Sequence, residues 1–476
     1  MKCRKWLAAA AASAVLLGSL AGCGEKNYGL SKKDPVSITV WHYYNGAQKQ
    51  MFDELVTQFN ETVGAEKGIV VQAFSQGTVN ELSEKVMDAA NEAVGADEVP
   101  DIFAAYADTA YEIYKKGLTA DLNTYLTQEQ KEAYVSSYLE EGQFGDDGSI
   151  TLIPVAKSTE IFMINTTDFE PFAQAAGVTE EDLSTWEGVA QVAKKYYEYS
   201  GGKAFFGRDA MANYMIVGSM QLGSELFSAK DGSVTVNLDK SVIRRLWDNY
   251  YVPYVNGYFA AVGRFRSDDA KTGDIIALTG STTGATYFPT EVTRADGSSY
   301  PVECKVLPLP GFEGCENYAV QQGAGMAVTK SEPKKEFAAT TFLTWFTAPE
   351  QNLRFSIGSG YLPVQRDANT QPALEKAISQ SAEEIPPVMQ ETLKLGIDTV
   401  QGYRLYTNRP FTNGTQARNI LENSMQDKAN ADLEKIHELM DTGLTQEQAA
   451  AQYTTDENFD AWYGEFVSQL HAVTDN

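Results

Sequence analysis

The 476-residue chain is short of histidine, cysteine and positive charge: three His, four Cys, and 38 Lys and Arg against 64 Asp and Glu, for a net charge of −26. Each shortage excludes something. A strongly acidic chain is a poor partner for nucleic acid, because phosphate contacts need Lys and Arg. The histidines, His42, His437 and His471, are scattered and no Cys-x-x-Cys occurs, so no metal centre is expected. Gly-x-Ser-x-Gly, His-Glu-x-x-His and P-loop motifs are missing. Asp456, Asn458 and Asp460 have EF-hand spacing, but Ala461 stands where the calcium loop needs glycine. No catalytic residue and no cofactor is expected. After the first two dozen residues no apolar run is long enough to cross a membrane.

What is present begins with an export signal. Lys2, Arg4 and Lys5 precede an apolar run from Trp6 to Leu20, too short for a comfortable membrane span. Leu20-Ala21-Gly22-Cys23 resembles a bacterial lipobox, which implies cleavage before Cys23 and lipid on its thiol. An ordinary signal peptide with a chance cysteine is the alternative. Losing residues 1–22 removes three basic residues and no acidic one, moving the net charge from −26 to −29. Residues 23–35 are polar and read as a tether. Cys304 and Cys315 then remain. In an exported chain they read as a disulfide across a Pro/Gly loop, or else as two unpaired thiols.

The mature chain alternates strands and helices. SITVW (37–41) and IVVQAF (69–74) flank a segment with Phe52, Leu55, Val56 and Phe59 at helical spacing, and PDIFAAYA follows a second helix. That pattern predicts an α/β fold with a parallel sheet covered on both faces. Residues 149–167 form a long extended stretch interrupted by Pro154, suited to crossing between lobes. No internal repeat is visible.

Taken in order, SITVWHYYNGAQKQMFDELVTQFN, VPDIFAAYADTAYEIYKKGLTADLNTYL, IPVAKSTEIFMINTTDF, TWEGVAQVAKKYYEYSGGKAFFG, GDIIALTGS and FLTWFTAPEQNLRFSIGSGYLPV resemble an extracellular solute-binding protein of the ABC-importer type, in the family that includes maltose-binding and glycerol-3-phosphate-binding proteins. The resemblance implies a two-lobed periplasmic-binding-protein-like fold, with a hinge and a ligand in the interlobe cleft. It places the first lobe at 36–153 plus 279–330 and the second at 154–278 plus 331–476.

Ligands of open α/β sheets bind beyond the carboxyl ends of strands. Trp41 is expected in the core, while His42, Tyr43, Tyr44 and Asn45 become cleft candidates, Tyr44 foremost. The same rule selects Tyr106 and Asp108. Ser158 and Glu160 lie on the crossover, where Glu160 either meets ligand or forms a hinge salt bridge. Asp209 and Asn213 start a helix that the resemblance turns toward the cleft. Ser281, Thr282 and Thr283 either bond a ligand or cap the next segment. Gln322, Gly323 and Gly325 allow close backbone approach or simply form a turn. Gly360 and Tyr361 offer a second-lobe contact. Arg404 decides between ligand classes: a guanidinium suits phosphate or carboxylate, although a surface carboxylate is an equal partner for it.

The expected function is capture of a small-molecule solute, an oligosaccharide first and glycerol-3-phosphate or another anion second, for delivery to an ABC permease by a lipid-anchored monomer at the outer face of the bacterial membrane. An extracellular carbohydrate-active enzyme or a surface sensor is the alternative of another class.

Overall fold

The computed structural model describes residues 27–145, 148–230 and 233–475; the signal segment and Cys23 lie outside them. Among the described residues, nine strands form the two larger sheets: β1 (Val36–His42), β2 (Ile69–Ser75), β3 (Ile102–Ala105), β4 (Leu152–Pro154), β5 (Glu160–Asn165), β6 (Phe206–Arg208), β7 (Ala277–Ser281), β8 (Cys304–Leu307) and β9 (Gly325–Val328). The first sheet runs β2-β1-β3-β9-β4, and the second runs β8-β5-β7-β6. The helices that matter for the site are α1 (Gly46–Phe59), α2 (Ala107–Lys115), α3 (Met211–Gln221), α4 (Arg266–Thr272), α5 (Pro333–Phe346), α6 (Pro349–Ser359) and α7 (Gly414–Asp441).

The start of the chain follows its periodicity. β1 pairs in parallel with β2 over seven residues, Val36 with Ile69 through His42 with Ser75, and also with β3. α1 buries Phe52, Leu55, Val56 and Phe59 against that sheet, the face its three- and four-residue spacing prescribes. The sheet then departs from the all-parallel expectation. β9 enters antiparallel between β3 and β4. The second sheet is also mixed, with β5 antiparallel to β7 and β8 while β6 and β7 run parallel.

The division into lobes differs from the expected boundaries. Residues 279–281 and 304–307 belong to the second sheet, not the first lobe. α5 and α6 belong to the first lobe, where Phe342, Phe346 and Phe355 join the core around Phe52. Strand and helix patterns carry no mark of the lobe they enter, so only the pairing partners settle it. The expected tether differs as well. Tyr28 packs against Tyr125 and Phe337, Leu30 is buried, and Asp34 pairs with Lys334 at 2.7 Å. The chain is therefore fixed to the first lobe from Tyr28 onward.

Pro154 ends β4, and residues 155–159 cross to the second lobe. Two other crossings lie beside them. Lys157 and Leu362 exchange backbone hydrogen bonds of 3.1 and 2.5 Å, and Ser158 and Gln322 exchange bonds of 2.9 and 3.1 Å. The Lys157 side chain is fully buried and holds Glu141 at 2.7 Å and the Gly323 carbonyl at 2.9 Å. Gly323 has φ +102°, and a Cβ there would lie 2.6 Å from the Ala156 carbonyl, so glycine is required by both conformation and space.

Candidate functional site

A cavity of about 960 Å³ opens between the lobes beside these crossings. Asn45 reaches it from the first lobe and Gln322 from a crossing, while Glu160, Asp209, Ser281 and Thr283 reach it from the second lobe. β5 delivers Glu160 and β7 delivers Ser281, which pair with each other in register. The Ser281 hydroxyl also caps the following turn by accepting the Thr283 N–H at 3.3 Å, so the capping role and the cleft position coexist.

Beneath the cavity lies a connected polar network. Arg208, 3% exposed, donates to Glu160 at 3.2 Å and lies over the rings of Trp186 and Tyr214. Asn213 donates to Glu160 at 3.0 Å and to Gln322 at 2.9 Å, and accepts from Arg418 at 2.6 Å. Burial raises the pKa of the Glu160 carboxyl, and the Arg208 guanidinium opposes that rise. Asp209 accepts from the Arg266 backbone at 3.3 Å and pairs with its side chain. Burial raises this carboxyl too, against the pull of Arg266. Between Asp209 and α3 sits Ala210 at φ 53°, ψ 62°, a left-handed conformation that costs a non-glycine residue on the order of 1 kcal/mol or more. The strain lies at the rim of the cavity and sets the sharp turn that starts α3.

Tyr106 and Asp108 stand where the first lobe faces α7. Tyr106 remains exposed, and Asp108 lies so close to Gly414 that a Cβ there would meet its Oδ1 at 2.8 Å. Burial lifts the Asp108 carboxyl to about 6, opposed by Arg418. Neither residue is in the wall of the cavity.

Several candidates fall elsewhere. His42 is wholly buried between the rings of Tyr44 and Phe52, and its Nδ1 accepts the Tyr44 N–H at 3.1 Å. Burial lowers its pKa to about 4. Tyr44 is enclosed by Phe52, Phe355 and Tyr361, and the Tyr361 hydroxyl lies 3.0 Å from that of the half-buried Tyr43. These residues are first-lobe core, and Tyr361 is not a second-lobe contact. The reason is α6, which lays Phe355 over the end of β1. Ser158 is a buried hinge residue, Thr282 is fully buried, and Gly360 fits because a Cβ would lie 2.8 Å from the Thr282 carbonyl. Gly325 is inside β9.

Arg404 is exposed, pairs with Glu316 at 2.8 Å and donates to the Tyr318 hydroxyl at 3.2 Å. It is held there because 404–406 pairs with 318–320 in a separate two-stranded sheet. Cys304 and Cys315 are free thiols. The loop between them is tied to the start of another helix, where the Trp186 N–H donates to the Gly311 carbonyl at 2.8 Å. Cys304 faces the Pro289 carbonyl instead, and burial pushes its thiol up to about 12.

Most of the second-lobe wall is not marked by strand ends or crossings: Arg208, Arg264, Phe265, Arg266, Tyr287, and Glu422 with Gln426 from α7. Phe265 is 50% exposed and Tyr287 52%. One signal was available. Gly263-Arg264-Phe265-Arg266 places two cations around a ring in an acidic chain. Glu422 and Gln426 gave none, since acidic and amide residues on a long helix are ordinary. Among the described residues no cluster could hold a metal ion, and no helix is long and apolar enough to cross a membrane.

Residues 54–387 match the model of a family described as bacterial extracellular solute-binding protein. No curated protein matches the chain. Among solved structures, the cyclic α-maltosyl-1,6-maltose binding protein of Arthrobacter globiformis superposes with a TM-score of 0.68 at 19% identity, covering 93% of this chain and 100% of that one. UgpB of Mycobacterium tuberculosis, solved with glycerophosphocholine, gives 0.68 at 19% identity over 92% and 98%. A cycloalternan complex of the substrate-binding protein Lmo0181 from Listeria monocytogenes gives 0.60 at 17% identity over 91% and 100%. At such identities the likeness is one of fold.

Proposed function

The chain belongs to the bacterial extracellular solute-binding proteins, receptors and not enzymes, and from that premise we propose that it captures an oligosaccharide in the interlobe cavity and delivers it to an ABC permease. The carrying observation is the wall of the cavity. Phe265 and Tyr287 stand about half exposed there, each with a cation, Arg264 or Lys271, over one ring face, and Asn45, Ser281, Thr283, Gln322 and Gln426 offer neutral donors and acceptors. A pyranose presents apolar C–H faces and a rim of hydroxyls, which such a wall matches. A cavity of about 960 Å³ has room for more than a single sugar ring. Ligand contacts to both lobes would favour the closed arrangement without breaking any bond.

An anionic solute is the second reading, favoured by Arg264, which makes no ion pair among the described residues and lies against the Phe265 ring. Export and lipid attachment at Cys23 complete the proposal, with a Cys23→Ser chain expected to lose labelled palmitate and the membrane fraction. Calorimetric titration with linear and cyclic maltooligosaccharides, glycerophosphocholine and glycerol-3-phosphate tests the ligand class. Saturable oligosaccharide binding without turnover is expected. Binding of the phosphate compounds alone would replace the carbohydrate reading with the anionic one.

A further inference from the structure

The chain carries 64 acidic against 38 basic residues, yet the cavity wall is balanced in charge. Four carboxylates, Glu160, Asp209, Asp268 and Glu422, line it with four cations, Arg208, Arg264, Arg266 and Lys271. Three ion pairs follow: Glu160 with Arg208 at 3.2 Å, Asp209 with Arg266 at 3.4 Å and Asp268 with Lys271 at 3.6 Å. Glu422 pairs with no cation among the described residues. Its Oε2 instead accepts the Ala212 N–H at 2.9 Å, in the first turn of the eleven-residue α3.

That turn has the makings of an anion site. α3 starts from the left-handed Ala210 with no side-chain cap, so its first N–H groups carry the positive end of the helix dipole. Such ends hold phosphate and carboxylate groups. Arg208, two residues upstream of Ala210 and buried in the same wall, has Nε and Nη1 without hydrogen-bond partners. The site is already filled by an anion of the chain itself, reaching across from α7.

We propose that Glu422 is a charge filter. It occupies the place at the α3 terminus that a phosphate or carboxylate of a ligand would take, and so restricts the cavity to uncharged polyhydroxylated solutes. Removing its side chain opens that place, beside the buried Arg208, whose Nη2 donates to the Ala210 carbonyl at 3.4 Å and whose Nε and Nη1 have no partner among the described residues. The inference deepens the carbohydrate reading and rests on it only for the identity of the neutral ligand.

Inorganic phosphate is the direct probe, titrated calorimetrically at low ionic strength and pH 7.5. Glu422→Ala frees the Ala212 N–H and loses the charge. It is expected to bind phosphate at least about tenfold more tightly than the native chain. Asp268→Asn removes the same charge from the same wall but leaves the helix terminus filled, and is expected to gain nothing. A folded Glu422→Ala chain with native phosphate affinity would overturn the filter, and so would an equal gain in Asp268→Asn. The native chain supplies a test that needs no variant: phosphate bound as tightly as the best neutral sugar overturns the proposal. Failure of every oligosaccharide to bind would remove the carbohydrate reading and leave the phosphate comparison standing.

Discussion

Trp41, His42 and Tyr44 in the first lobe are a run of rings, Arg264, Phe265 and Arg266 in the second a ring between two cations, and the two clusters end in opposite surroundings. The first set is sealed in the core, with Tyr44 enclosed by Phe52, Phe355 and Tyr361. In the second set Phe265 stays half exposed along the cavity, although Arg266 beneath it is buried by Asp209 and Asp269. The difference lies in what is laid over each cluster. α6 returns across the end of β1, while the cavity lies open beside Phe265.

Removing one ring from each cluster should separate the two roles. Tyr44→Ala leaves a cavity in the core and is expected to cost about 3–5 kcal/mol in urea unfolding. A loss below about 1 kcal/mol would show that the β1 end is not sealed. The next effect is on pH. Burial places the His42 pKa near 4 in the folded chain, below the unfolded value of about 6.5. Its neutral form must fold, so stability is full above about pH 6.5 and declines as pH falls toward 4. Asp108 acts in the opposite sense. Its carboxyl is raised to about 6, so its contribution is present at low pH and is lost as pH rises through about 4 to 6. Asp108→Asn should therefore steepen the rise of melting temperature with pH across that window. An unchanged profile would remove Asp108 from the account.

Phe265→Ala should leave unfolding within about 0.5 kcal/mol of native. It should weaken oligosaccharide binding by about 1–3 kcal/mol, the worth of the aromatic area covered by ligand. Unchanged affinity would place the ligand away from that ring. The smallest effect is expected of Arg404→Ala, which breaks an exposed pair with Glu316. Neither unfolding nor affinity for any probe should change measurably, and a loss of phosphate-compound binding would return Arg404 to the site.

The fold was largely legible because periodic apolar spacing is a local property. Phe52, Leu55, Val56 and Phe59 mark the buried face of α1 in any tertiary setting. The cavity lining was legible where a strand end or a crossing fixed the residue's position: Asn45, Glu160, Asp209, Ser281 and Gln322 all reach the cavity. It was illegible where distant chain decides exposure. Nothing in Tyr43-Tyr44 tells that Phe355 and Tyr361 cover them from more than 300 residues away. Glu422 looks like any helix surface glutamate until α3 is placed against it. The lobe boundaries shifted for the same reason, since β8 finds its partner in β5 and not in its sequence neighbours.

The position of β9 also bears on how the polypeptide can be built. β9 lies between β3 and β4 and joins them, but it is synthesised only after the whole of β5 to β8. A chain emerging from a ribosome or a translocation pore has β1 to β4 in hand early and cannot complete their sheet until residue 328 arrives. α5 and α6, which close the same core, come later still. Such long-range closure slows folding. The lobe that begins first finishes only after more than two thirds of the sequence has appeared, which keeps it open during the interval in which a secreted protein has to pass through a membrane unfolded.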